Sequence, residues 1–383
     1  MKRRLCLIIL LLLMPCVFLK AGVAAQADFI FHDAPDDVLQ TQDTSAEAAS
    51  ETAYDSVYAA SRAALRSEDP NEPWPRRIVI TVGGDTTLAS TENQATDPRG
   101  FPAMVAEKGF SWPFSELVPI FGQDDLTFVN FEGTLTESTA KADKKYHFKG
   151  PAEYAQMLTL GSVEAVTLAN NHTGDYGEQG KNDTRLALDG AGVLYCEQGN
   201  PAVYEVRGVK IGLIGNTFPY RDGKRDISRD VKTLRESGCQ IIIASFHWGS
   251  EYSFDFNRDQ RNIGREAIRA GADVVVGHHP HVFQGIERYN DSYILYSLGN
   301  LVFGGNIDPE PGHRQTYIAQ LTFTVHQDGR VDGPELALIP LLVTALPKGT
   351  DYRPVLATGT EYDTILDEIL RRSTNMEGFI NAR

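Results

Sequence analysis

The chain has 383 residues, 42% of them hydrophobic and 23% charged, and carries a formal net charge of −15. That length can bury a full core, in one large domain or two. The acidic balance speaks against nucleic acid and anionic membrane surfaces as partners, and four cysteines do not make a disulfide scaffold in a chain this long.

Met1-Lys2-Arg3-Arg4 is followed by an apolar run over 5–19, broken only by Pro15, and by small residues over 21–27. Basic, apolar and small regions in that order predict a cleavable secretory signal over 1–27, and the apolar run is short for a spanning helix. Cleavage is expected after Ala27, with Ala25 as the alternative and a retained signal anchor as the lesser reading. Met14-Pro15 ahead of Cys16 lacks the small residues of lipoprotein processing. Removing Lys2, Arg3, Arg4 and Lys20 leaves −19, four positive charges below the full-chain −15. The expected location is secreted, periplasmic or envelope-associated, with membrane contact only through an uncleaved signal. Of the cysteines, Cys196 and Cys239 remain; one disulfide and two buried thiols are both compatible with the sequence.

Residues 28–75 are acidic and rich in Ala, Ser and Thr, which predicts a flexible leader with a helix in reach over 48–65. Pro70, Pro73 and Pro75 close it as a linker. Strand patterns then recur at 78–82, 126–131, 165–169, 210–215, 240–246 and 272–276. Helical patterns at 151–160, 183–190, 230–237 and 258–270 alternate with them, several ending in glycine as at Gly271. The alternation predicts an α/β domain. After His281 the pattern turns to strands at 292–297, 316–325 and 334–342, with turns at Asn290-Asp291 and Gln327-Asp328-Gly329. This predicts a second, largely antiparallel sheet, packed face to face on the first in one domain over 76–346. A C-terminal extension over 347–383 carries a short amphipathic helix at 362–372. There is no internal repeat.

Polar runs close the apolar strands: Gly84-Asp85, Asn130-Phe131-Glu132, Asn170-Asn171-His172, His247 and His278-His279-Pro280-His281. In open α/β sheets, ligand sites collect at the carboxyl ends of strands. Alone, Gly84-Asp85 and Asn130-Phe131-Glu132 read first as a turn and an exposed strand end, Asn170-Asn171-His172 reads either way, and His278-His279-Pro280-His281 is the strongest single signal of a site. Together they offer carboxylate and amide oxygens and several imidazoles, a donor set suited to divalent metals. Pro280 disfavours helical geometry at His279, so His279 is expected to be extended, with His279 and His281 projecting as a chelating pair. His278 is expected to point elsewhere, outside the ligand set or to solvent. His172 can hydrogen-bond a substrate oxygen or give it a proton. Lys149 and Arg258 are candidates for binding an anionic substrate, with plain surface charge as the competing reading. Ser245, Ser250 and Ser297 sit in no nucleophile elbow, and the two remaining cysteines lack zinc-site spacing.

The segments GGDTTL, VNFEGTL, LANNHTGDYG, FHWGSEY, GADVVVGHHPHVFQGIE and YILYSLGNLVFG, in this order over 78–303, resemble the poly-γ-glutamate capsule biosynthesis (CapA-like) family. That family is similar in turn to the calcineurin-type metallophosphoesterases. The resemblance implies a four-layer α/β/β/α sandwich of the metallo-dependent phosphatase kind. It puts Asp85, Glu132, Asn171, His247, His279 and His281 in metal-ligand positions, with Glu132 the bridge and His172 the proton donor beside the substrate. Such phosphoesterases usually carry a histidine two residues after the first Asp, where this chain has Thr87. The expected cofactor is therefore one or two divalent ions, of Mn, Fe, Zn or Mg. The implied function is an exported hydrolase that uses metal-activated water on a phosphoester or a γ-glutamyl polymer. A non-catalytic accessory protein for synthesis, export or anchoring of an acidic polymer, working with capsule synthesis machinery, is the alternative. A nucleotide or lipid-headgroup phosphatase is the third reading.

Overall fold

Runs of Val, Ile, Leu and Phe bounded by glycine and polar turns drive strand formation throughout the chain. The computed structural model describes residues 72–218, 227–379 and 381, all within the unit Thr52–Arg383. The signal, the leader and the helix expected over 48–65 lie outside the described residues.

Two sheets carry the fold. The first runs Val355–Leu356, Val331–Leu342, Gln315–Val325, Arg76–Thr87, Leu126–Phe131, Ala165–Thr167 and Leu194–Cys196 in spatial order, with Asn300–Phe303 pairing the end of Arg76–Thr87. The second runs Ile286–Tyr289, Ser292–Leu295, Val274–His278, Ile241–His247, Val209–Thr217 and Ala202–Val206. The second, largely antiparallel sheet expected from the strands after His281 therefore does not form separately: those strands divide between the two sheets. Ser292–Leu295 joins the second sheet in parallel with Val274–His278. Gln315–Val325 pairs antiparallel with Arg76–Thr87, setting Ile80 opposite Leu321. Alternation of apolar residues tells which face of a strand is buried but not which strand lies beside it.

Both faces of each sheet are covered. Ile78, Ile80, Leu126 and Phe128 of the first sheet share one cluster with Ile211, Ile243 and Val276 of the second. The alternate residues Val129 and Phe131 pack with Phe101, Phe114, Met157 and Leu188. Ile242, Phe246 and Val275 pack with Val231 and Leu234 of helix Ile227–Glu236 and with Ala267 and Ile268 of helix Arg258–Ala270. Each fully buried side chain of this kind contributes roughly 1.5–3 kcal/mol. The helix Arg258–Ala270 is closed at both ends as its sequence dictates: the Asn257 side chain accepts from the amides of Asp259 and Gln260, and Gly271 takes φ 108°.

The segment after 346 completes the core rather than extending from it. Leu341 and Leu342 pair with Val355–Leu356, and helix Gly359–Arg372 buries Ile365 and Ile369 in the cluster between the sheets. Cys196 and Cys239 are both free and buried, in different apolar clusters. No helix among the described residues is long and apolar enough to cross a membrane.

Candidate metal centre

Strand register brings the polar runs together. In the first sheet Asp85 lies between Asn130 on one neighbour and Asn300 on the other. In the second, His247 pairs with His278. The approach at Asp85 needs glycine beside it: a Cβ on Gly84 would stand 2.0 Å from the Gly299 carbonyl oxygen, which accepts the Asp85 amide at 2.8 Å.

Asp85 is fully buried. Its Oδ1 accepts from Asn130 Nδ2 at 2.8 Å and its Oδ2 from the His279 amide at 3.2 Å. His281 Nδ1 stands 3.2 Å from Oδ2, and His278 Nδ1 stands 3.5 Å from Oδ1. Burial pushes the Asp85 carboxyl up, but contacts with His278 and His281 outweigh it and hold it well below the usual carboxylate range.

Glu132 is also fully buried, and neither of its oxygens has a hydrogen-bond partner among the described residues. Burial pushes its carboxyl up to about 8. Its Oε1 is 3.7 Å from His247 Nε2 and 3.8 Å from His172 Nε2. Two donor sets overlap on it. Asp85, Glu132 and His247 form one, and Glu132, His279 and His281 form the other, with donor atoms in each set within 4.8 Å of one another.

Asn171 Oδ1, His247 Nε2 and His279 Nδ1 are likewise buried and without partners. Burial holds the His247 imidazole well below its ordinary value, and the His279 imidazole below it, so both stay neutral donors of a lone pair. Adjacent Asn170 is occupied otherwise. Its Nδ2 donates to Phe131 O at 2.6 Å, and its Oδ1 accepts from the amides of His172 and Thr173, both at 3.0 Å. Each orphaned buried acceptor would cost roughly 1–3 kcal/mol. A cation bound among carboxylate, amide and imidazole donors satisfies them together, so these residues fit a divalent metal.

Two details differ from expectation. His279 is not extended: its φ is 97°, and that of His281 is 58°. Capture of the His279 amide by Asp85 accompanies this turn, in a region that costs about 1–3 kcal/mol per non-glycine residue. His278 does not point away. Gly277 faces Tyr296 and Trp248, so His278 projects to the opposite, inner side of the strand, only 1% exposed, towards Asp85. Thr87 is buried, and its hydroxyl has no hydrogen-bond partner among the described residues.

His172 lies beside the cluster. Its Nδ1 is 2.7 Å from Asp175 Oδ2 and its ring centre 4.4 Å from that of Phe148. Burial lowers its pKa, against the opposing pull of Asp175. Sequence reading missed Asp175, whose position three residues after His172 in a turn was the available signal. It also missed Lys144, for which there was none.

Lys149 and Arg258 are not brought into contact with the cluster. The Lys149 ammonium donates to Ser138 O at 3.2 Å and lies 5.2 Å from the Tyr176 ring centre. Arg258 is exposed in the first turn of its helix.

Residues 79–305 match the family described as bacterial capsule synthesis protein PGA_cap. The chain is 33% identical over 248 residues to the PGA biosynthesis protein CapA of Bacillus subtilis, covering 59% of this chain and 65% of that one. It is 30% identical over 255 residues to the capsule biosynthesis protein CapA of Bacillus anthracis, covering 59% and 60%. The chain thus spans less than two thirds of either relative. A probable polyglutamine synthesis accessory protein of Mycobacterium tuberculosis is 25% identical over 330 residues, covering 71% of this chain and 86% of that one. The family match runs from the strand that carries Asp85 to just beyond Asn300, and so takes in the whole cluster: the chain belongs to the bacterial capsule synthesis protein PGA_cap family, within the metallophosphoesterase-like superfamily.

Proposed function

We propose that this protein is an exported, metal-dependent hydrolase of the capsule biosynthesis type, acting on a phosphoester or a γ-glutamyl polymer. The observation that carries the reading is Glu132, a fully buried carboxylate with both oxygens unpartnered, shared between two donor sets. Such a group is costly unless a cation meets it. Asp85, Glu132 and His247 would hold one ion. Glu132, His279 and His281 would hold a second, with Asn171 Oδ1 a further donor. When bound, divalent ions supply a Lewis acid for a substrate oxygen and make water more acidic. The imidazoles of the set suit Fe or Zn, and its carboxylate and amide oxygens suit Mn or Mg.

The chain's own residues do the rest. His172 presents Nε2 towards Glu132 while Asp175 holds Nδ1. Its Nε2 is placed to take up a proton and then pass it to a leaving oxygen or nitrogen. The apolar clusters on both outer faces and between the sheets support the four-layer α/β/β/α arrangement. The names of the Bacillus relatives support an acidic capsule polymer and its synthesis machinery as partners. The signal-like start of the chain supports export to the envelope or beyond.

A second reading, a non-catalytic accessory protein for that polymer, draws on Thr87, which gives one ion an imidazole fewer, and on the accessory role in the mycobacterial relative's name. The experiment is metal analysis of the purified protein, with turnover of p-nitrophenyl phosphate and poly-γ-glutamate under Mn²⁺, for wild type, Asp85→Asn and His279→Ala. Bound metal and turnover that both variants lose support the hydrolase. Bound metal with polymer binding but no turnover leaves the accessory reading. Absence of metal sinks both assignments of the cluster.

A further inference from the structure

Lys144 sits in a basic stretch, Lys141 to Lys149, that the proposed function does not use. Its ammonium lies against one short turn. It donates to Asn171 O at 2.9 Å and to Asp175 Oδ1 at 2.6 Å, and lies 3.2 Å from His172 Nδ1. Asp175 is fully buried. Its other oxygen, Oδ2, accepts the Phe148 amide at 2.7 Å and contacts His172 Nδ1 at 2.7 Å. The Asp175 carbonyl accepts the Ala142 amide at 2.9 Å. Ala142, Lys144 and Phe148 of this loop thus each bond to Asn171 or Asp175.

We propose that Lys144 is a positioning residue: by pinning Asp175 Oδ1 and the Asn171 carbonyl, it fixes the rotation of the Asp175 carboxylate and hence the ring orientation and tautomer of His172. An ionised carboxylate only accepts, so the 2.7 Å contact requires the proton on Nδ1. Nε2 is then the nitrogen without a proton, and it faces Glu132. Asp175 could hold Nδ1 alone only if its carboxylate stayed in plane with the ring. With Lys144 absent, Oδ1 is a buried anion oxygen that has lost its ammonium partner, and only the Phe148 amide on Oδ2 is left to oppose rotation of the carboxylate. Lys144 acts on the reaction only through His172, so its catalytic consequence rests on the hydrolase reading above. The geometric claim does not.

The test compares wild type, Lys144→Met, Lys144→Gln and Lys144→Arg, each labelled with ¹⁵N-histidine, the His172 signals assigned by their loss in His172→Gln. Wild type is expected to show one sharp His172 pair with the proton on Nδ1. In Lys144→Met the pair should broaden or shift towards the other tautomer, and Lys144→Arg should restore it. Lys144→Gln serves if the Met variant fails to fold. Under Mn²⁺, p-nitrophenyl phosphate turnover should fall about a hundredfold in kcat for Lys144→Met, with KM within about threefold and bound metal unchanged. Unaltered His172 signals in Lys144→Met and Lys144→Gln overturn the proposal, as does a wild type with the proton on Nε2. If no protein turns over substrate while the signals change as expected, the hydrolase reading fails and the positioning role stands.

Discussion

Replacing Glu132 by Gln should stabilise the protein without metal and destabilise it with metal. The carboxyl of Glu132 is fully buried and pushed up to about 8 by that burial, against an unfolded value near 4.5. A raised acid binds its proton more tightly folded than unfolded. Its contribution therefore weakens stability as pH rises through the window from about 4.5 to about 8. At pH 7, keeping the proton against a normal value of 4.5 costs the folded state about 3 kcal/mol. Glutamine has almost the same shape and no ionisation, so in EDTA at pH 7 Glu132→Gln should melt higher than wild type, by on the order of 5 °C. Adding Mn²⁺ at about a thousandfold excess over its dissociation constant should raise wild type by about 4 kcal/mol. The variant should gain little, because the ligand common to both donor sets has lost its charge. Differential scanning calorimetry in EDTA and in Mn²⁺, at pH 5.5, 7 and 8, reads both effects. The stability order of the two proteins should invert between the two conditions, and the gap in EDTA should shrink to less than half between pH 7 and pH 5.5. A variant that melts below wild type by the same margin in EDTA and in Mn²⁺ would mean Glu132 is an ordinary structural polar group, and the argument from its orphaned oxygens would be wrong.

Burial pushes the Cys196 thiol up to about 12, and Cys239 is buried as well, so neither should react with a thiol reagent at pH 8 until guanidinium unfolds the chain; rapid labelling of the native protein at either site contradicts this. Gly84→Ala would place a Cβ 2.0 Å from a backbone oxygen that has no side-chain freedom to give way. It should cost at least about 3 kcal/mol in urea unfolding, and a midpoint equal to wild type would show that the strand ends do not approach so closely. Ile365→Ala, fully buried in helix Gly359–Arg372, should cost about 2–5 kcal/mol by the same assay. A loss under about 0.5 kcal/mol would return the C-terminal segment to the status of an appendage.

Much of the cluster was legible because its signal is local. Asp85, Glu132, Asn171, His247, His279 and His281 each follow an apolar run that can only be a buried strand, and a polar residue placed there has few other destinations. What escaped was set by contacts far apart in sequence. Whether 315–325 pairs within its own sheet or beside Arg76–Thr87 depends on long-range partner choice, which alternation does not encode. The positive φ of His279 goes with capture of its amide by Asp85, 194 residues away. Proline at 280 excludes the helix but leaves the left-handed region open. Lys144 reaches Asp175 across 31 residues, and a lysine in a basic loop carries no mark that one ammonium has turned inward.

The two donor sets share a further property. Asp85 comes from the first sheet and Glu132 from the residue just past its strand Leu126–Phe131, whereas His247, His279 and His281 come from the second or from the loop that leaves it. Neither set can be completed by one sheet alone. The spacing of the ligands is therefore fixed by the apolar cluster between the sheets, in which Val82, Phe128, Ile243 and Val276 meet. A close-packed interior transmits small volume changes as displacements rather than absorbing them. Metal affinity should consequently respond to the packing of side chains that touch no ligand. Trimming Val276 to Ala ought to weaken cation binding along with the fold, whereas an equal trim in the cluster outside the second sheet, such as Val231→Ala, ought to weaken the fold alone. Titration of Mn²⁺ into both variants, at a temperature where each stays folded, separates the two effects; equal affinities would show that the strand ends hold their spacing independently of the core beneath them.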